Sequence, residues 1–199
     1  NPALCIAIKD GNPRSVIDRL EALDIPVFAV NPRGLDTVMR AIDHIGQLMG
    51  AEKRADEIMA DMAARIAKVE SKVAQTGKRP RVFFQIGIAP IVSAGSDTFI
   101  HELIVKAGGI NIAGQYTSYP RFSREEVLEL APDILIVTSM ARKEVFERVK
   151  AEWEKWEQIP AAANGRVHLV DSNLFDRPTP RLVDALEKLV ALIHPELEM

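Results

Sequence analysis

The side chains best suited to chemistry are scattered along this chain. His44, His101, His168 and His194 stand far apart, and no two of them share the i, i+4 spacing that places two metal ligands on one helical face. Acidic residues are plentiful, but none is fixed beside a nucleophile and base, which gives no support to acid–base catalysis. Ala94-Gly95-Ser96 is neither a dinucleotide fingerprint nor a phosphate loop. The residues left are suited to holding a ligand. Tyr116, Tyr119 and Phe175 are aromatics in loop-like sequence, in a chain with only 6% aromatic residues. Beside a cleft they would suit a large flat or apolar ligand, and otherwise they pack on their own loops. Arg177, between Asp176 and Pro178, could pair with a ligand carboxylate or phosphate, or with Asp176 or Asp171. The Ser93–Thr98 turn opens a helix, so Ser96 and the free N–H groups there could meet a carbonyl or anion. The alternative is that Ser96-Asp97 caps the helix.

Strands and helices must position these residues. Ala3–Ile8 and Val27–Val30 read as strands, each followed by a helix, over 14–23 and 35–49. Over 51–76, Ala55, Ile58, Met59, Met62, Ile66, Val69 and Val73 recur every three or four residues, ahead of Gly77. A helix of that length spans roughly 39 Å. Its short, alanine-diluted stripe favours packing on the chain's own lobes over a coiled-coil dimer. Strands over 81–86, 133–137 and 166–170 alternate with helices over 97–107, 123–130, 143–156 and 181–193. The pattern implies an α/β fold: two Rossmann-like lobes with parallel sheets joined by one long helix, the first lobe incomplete. The expected division is 1–48 for a partial N-terminal lobe, 49–78 for the inter-lobe helix and 79–199 for the C-terminal lobe. The run 2–8 is echoed by 132–138, and each copy leads through a helix to an Ile-Pro and a second strand. Two parallel strands make a poor independent sheet, so further strand–helix units are expected before Asn1.

Open parallel sheets hold ligands at the carboxyl ends of their strands. In the second lobe these ends are Gln85–Pro90, Thr138–Arg142 and Asp171–Arg177, which brings Gln85 and Pro90 into the candidate site. At 123–126, Ser123 and Glu126 form a capping-box pattern, which leaves Glu125 to project outwards as a docking charge.

Composition narrows the class. The 199 residues are 47% hydrophobic and 27% charged, as in soluble globular proteins. A net charge of −3 gives no electrostatic reason to expect nucleic acid or an anionic membrane as partner. No apolar run reaches the ~18 residues of a membrane span. Cys5, the single cysteine, excludes an internal disulfide and reads as a small buried hydrophobe. Trp153 and Trp156, on one charged amphipathic helix, should pack on the lobe.

The stretches FFQIGIAP with its SAG turn, ELIVKAGGINIA, YPRFSREEVL and the closing NGRVHLVDSNLFDRPTPRLVDALEKL resemble the periplasmic binding proteins of ABC importers for vitamin B12, ferric siderophores and haem. They are closest to the cobalamin-binding branch, and the resemblance runs over nearly the whole chain. It implies capture of a corrinoid or other metal chelate between two lobes, without chemistry and without a resident cofactor or metal site. It also implies delivery to a membrane permease and a periplasmic or lipid-anchored location. In that branch Tyr119 stands where a tryptophan is usual, Asn173 where an acidic residue is usual, and Arg177 matches an arginine. Glu125 matches a glutamate that docks on permease arginines. The Lys9–Pro13 turn and Pro32 should add to the cleft rim, and the long helix should keep lobe closure small. A haem or ferric-siderophore binder shares the fold. A metal-dependent chelatase-like enzyme is the reading from another class, which two or more histidines in the cleft would favour.

Overall fold

The computed structural model describes residues 2–9, 12–138 and 143–197, with the side chains of Lys143 and Phe146 outside the description. In chain order the elements are β1 (Cys5–Ile8), α1 (Arg14–Glu21), β2 (Val27–Val30), α2 (Leu35–Met49), α3 (Glu52–Val73), β3 (Arg81–Gly87), β4 (Ile91–Ser93), α4 (Phe99–Lys106) and β5 (Ile110–Asn111). After a single 3-10 turn come β6 (Arg121–Phe122), α5 (Arg124–Leu130), β7 (Ile134–Val137), α6 (Lys143–Glu154), α7 (Pro160–Ala163), β8 (Val167–Leu169), α8 (Ser172–Phe175) and α9 (Leu182–Ile193).

β1 and β2 pair in parallel. This small sheet leaves Ile6 and Ile8 41% and 42% exposed. Cys5 is therefore half-buried rather than a core residue, since a two-stranded sheet cannot enclose it. The second sheet has the order β6-β4-β3-β7-β8, with β5 beside the start of β3. Its centre, β3, β7 and β8, is parallel as expected, but β4 and β6 run antiparallel. The expected parallel sheet is present, with antiparallel β4 and β6 added at one edge. Its added strands are only three and two residues long, too short to show an alternating pattern.

Alternation along the central strands sorts the core into two layers. Val82, Phe84, Ile134 and Ile136 join the apolar cluster that includes residues of α3, α4 and α9. Phe83, Leu135 and Val137 join Val127, Trp153 and Ile159 on the opposite face. Ile25 and Ile159, which correspond in the internal echo, are both buried.

α3 is a 22-residue helix, roughly 33 Å long. Near its middle Arg65 is forked between Asp184 at 2.6 Å and Glu187 at 2.6 and 2.9 Å on α9. Further along, Glu70 pairs with Lys106 of α4 at 2.5 Å. Met62, Ile66, Val69 and Val73 are buried on its inner face. The second half of the long helix is therefore bound to the second lobe, while its first half packs against α2. No helix among the described residues is long and apolar enough to cross a membrane.

Candidate functional site

The carboxyl end of the small sheet faces loops of the second lobe across a groove of about 490 Å³. That falls within the usual range for small-molecule sites. Ile8 ends β1 and Asn31-Pro32-Arg33 follows β2, and together they form one wall. The other wall is Asp97–Phe99 at the start of α4, Ser118-Tyr119, and Asp176 with Pro178 between α8 and α9. Tyr119 is 52% exposed there.

Local hydrogen bonds set this geometry. Thr98, not Ser96-Asp97, caps α4: its Oγ1 accepts from the His101 N–H at 3.2 Å and donates to the Gly95 carbonyl at 2.7 Å. Asp97 adopts a left-handed conformation, with φ 59°. One of its carboxylate oxygens accepts from the Ser118 N–H at 2.7 Å and the other from Arg33 at 3.1 Å. The Ser96 hydroxyl donates to the Tyr116 carbonyl at 2.9 Å. Gly95 lies so close to that carbonyl that a Cβ would collide with backbone. Ser96 therefore holds in place the segment that carries Tyr119, and does not face the groove.

Two contacts tie the lobes together beside the groove. The first is the Arg33–Asp97 ion pair, 47% and 42% exposed at its two ends. At such exposure it contributes at most about 1 kcal/mol. The second is Glu102 of α4, whose carboxylate accepts from the Leu35 N–H at 2.8 Å, at the positive end of α2. A Cβ at Gly34 would run into that carboxylate. Glycine here allows a close approach, because its φ of −163° suits any residue.

Of the eight residues expected to hold ligand, only Tyr119 lines the groove. Phe175 is fully buried on α8 and packs 5.6 Å from Phe84, so it is a core aromatic. Gln85 is also buried. Its oxygen accepts from Trp153 Nε1 at 2.8 Å and its amide donates to the Gly87 carbonyl at 2.9 Å, on the α6 side of the sheet. Tyr116 stacks edge-on against Phe122 at 5.5 Å. Asn173 is turned onto Asp171, which caps α8. Pro90 is exposed in the β3–β4 turn, after a cis Ala89–Pro90 bond, and away from the groove lining. Arg177 is exposed between two lining residues without lining the groove itself. Of the expected Lys9–Pro13 rim, positions 10 and 11 lie outside the described residues, and Lys9, Asn12 and Pro13 do not line the groove; of the Thr138–Arg142 strand end, positions 139–142 lie outside the description.

Sequence reading missed Arg33, Asp97, Ser118 and Asp176. Arg33 could have been found by applying the strand-end rule to β2 as it was applied to the second lobe. Asp176 was read only as a partner for Arg177. Burial pushes its carboxyl up to about 6, with Asp171 adding repulsion, while the Thr138 hydroxyl and Arg177 pull the other way. Among the described residues no three His, Cys, Asp or Glu side chains form a metal-type cluster. The histidines lie elsewhere: His44 against Phe28, His101 beside Asn111, His168 in β8, and His194 buried near Gly108.

A groove between two α/β lobes, with one exposed aromatic and a few polar groups, is a place to hold a molecule. Comparison with known sequences agrees, since the family model for periplasmic binding proteins matches residues 1–174. The chain belongs to the periplasmic binding protein family. It is 29% identical over 184 residues to the uncharacterised ABC transporter substrate-binding lipoprotein YvrC of Bacillus subtilis, covering 90% of this chain and 57% of that protein. It is 26% identical over 189 residues to the vitamin B12-binding protein of Yersinia pestis, covering 94% of this chain and 64% of the relative. The chain thus spans less than two thirds of the length of these two relatives. A periplasmic heme binding protein from Pseudomonas aeruginosa superposes with a TM-score of 0.88 over 99% of this chain and 74% of its own, at 22% identity. That last likeness speaks for the fold alone. The mixed α/β architecture matches the fold of that neighbour, and the family is one of binding proteins.

Proposed function

We propose that the chain is the substrate-binding component of an ABC importer and takes a corrinoid in the groove between its lobes. The observation that carries the reading is the position of the groove, between the strand ends of the small sheet and loops of the second lobe, with Tyr119 exposed in its wall. Binding would be capture alone. Tyr119 would lie against the macrocycle, and Asn31, Ser118 and Asp176 would meet its amide fringe. Packing of α3 against α2 of the first lobe as well as against α9 and α4 of the second would keep lobe motion small, so affinity would come from preorganisation. The exposed Glu125, in the first turn of α5, would dock on cations of the permease, outside the cytoplasm at a periplasmic or lipid-anchored site.

One observation favours a second ligand, haem or a ferric siderophore. Tyr119 carries a phenol, a group that ligates ferric iron in some haem proteins. Calorimetric titration of the chain with cyanocobalamin, haemin and a neutral ferric hydroxamate separates the readings. Saturable heat with cyanocobalamin is expected. Saturation by haemin or the hydroxamate alone would move the assignment to the second ligand class, and silence with all three would remove both.

A further inference from the structure

The Arg33–Asp97 pair joins one lobe to the other at the edge of the groove, and both residues line it. Each is held from behind. Thr37 Oγ1 accepts from the backbone N–H groups of Arg33 and Gly34 at 2.8 Å each, which fixes the start of the arginine side chain. Asp97 is held by the Ser118 N–H at 2.7 Å. The guanidinium also reaches Asn31 Oδ1, at 3.5 Å. Both ends of the pair are partly open to solvent, so this one contact contributes at most about 1 kcal/mol. A buried structural pair would be built the other way, with both charges enclosed and fully hydrogen-bonded. The two partners also differ in what they can offer a ligand. One oxygen of Asp97 is occupied by backbone, whereas arginine presents a planar fork matched to carboxylate and phosphate.

We propose that Arg33 is the specificity-determining residue of the groove, taking an anionic group of the ligand (carboxylate or phosphodiester) in exchange for Asp97. Asp97 then acts as a stand-in anion, holding the guanidinium towards the groove until the ligand replaces it. This rests on the substrate-binding reading and adds the ligand charge to it.

The test compares ligands with and without the anion, and reads the difference that Arg33→Gln makes to each. Cyanocobalamin carries a phosphodiester that dicyanocobinamide lacks, and haemin carries two carboxylates that its dimethyl ester lacks. Arg33→Gln is expected to weaken cyanocobalamin about tenfold or more and to leave dicyanocobinamide within about twofold. Asp97→Asn, which deletes the competing carboxylate, should tighten cyanocobalamin by about threefold. Equal loss of both corrinoids in Arg33→Gln, or loss of neither, overturns the proposal. If the parent chain binds haemin and no corrinoid, the corrinoid reading falls, and the haemin–ester contrast decides the role of Arg33. Binding of only the neutral ferric hydroxamate, or of no ligand, overturns it as well. Melting temperatures within about 2 °C of the parent are expected, given the exposure of the pair. Should Arg33→Gln fail to fold, Arg33→Lys keeps the charge, loses the fork and reads the same contrast.

Discussion

Trp153 donates its indole N–H to the side-chain oxygen of Gln85 at 2.8 Å, inside the layer between the large sheet and α6. The pairing makes Gln85 a structural residue. Gln85→Leu would leave a buried indole N–H without an acceptor, at a cost of about 1–3 kcal/mol. Urea unfolding should show that loss, while affinity for ligand stays unchanged. Lost affinity at unchanged stability would return Gln85 to the cleft.

Asp176 should make stability depend on pH. Its folded-state carboxyl is pushed up to about 6 by burial. Between about pH 4 and about pH 6 the native protein holds this proton and the unfolded chain does not, so stability falls as pH rises through that window. Asp176→Asn removes this loss. The melting temperature of the variant relative to the parent should therefore be higher at about pH 7.5 than at about pH 4.5. An equal difference at both pH values would mean that Asp176 titrates normally.

Tyr119→Ala should weaken ligand binding by roughly tenfold or more, as loss of an aromatic anchor does elsewhere. With half its surface in solvent, the side chain should contribute little to the melting temperature. Fluorescence-quenching titration beside a thermal melt checks both. Unchanged affinity would remove the aromatic wall from the proposed site.

Glu125→Arg should abolish docking on the permease and leave ligand affinity intact. Ser123 and Glu126 cap α5 reciprocally without Glu125, so the helix should survive. Transport by the reconstituted importer is the readout, and undiminished transport would end that role for Glu125.

The fold was more legible than the site. β2 and α2 lie over the residues expected for them, because four apolar residues bounded by prolines and a 15-residue amphipathic stripe leave little choice. The stripe of α3 and the capping box of α5 were equally plain. Strands β4, β5 and β6 escaped because three or two residues cannot show a period. Site residues sit in loops, where no period applies. Phe175 read as a loop aromatic because a four-residue helix has no stripe, yet that one turn aims it at Phe84. Gln85 could have been recognised. It lies two residues after Phe83, and the alternation of a strand puts both on the face covered by α6 and away from Phe84.

Anomalous diffraction at the cobalt edge, from crystals grown with cyanocobalamin, tests the corrinoid groove most directly. The expected result is a cobalt peak in the groove between Arg33 and Tyr119. A groove without cobalt, or a peak only on another surface such as the outer face of α6, would contradict it.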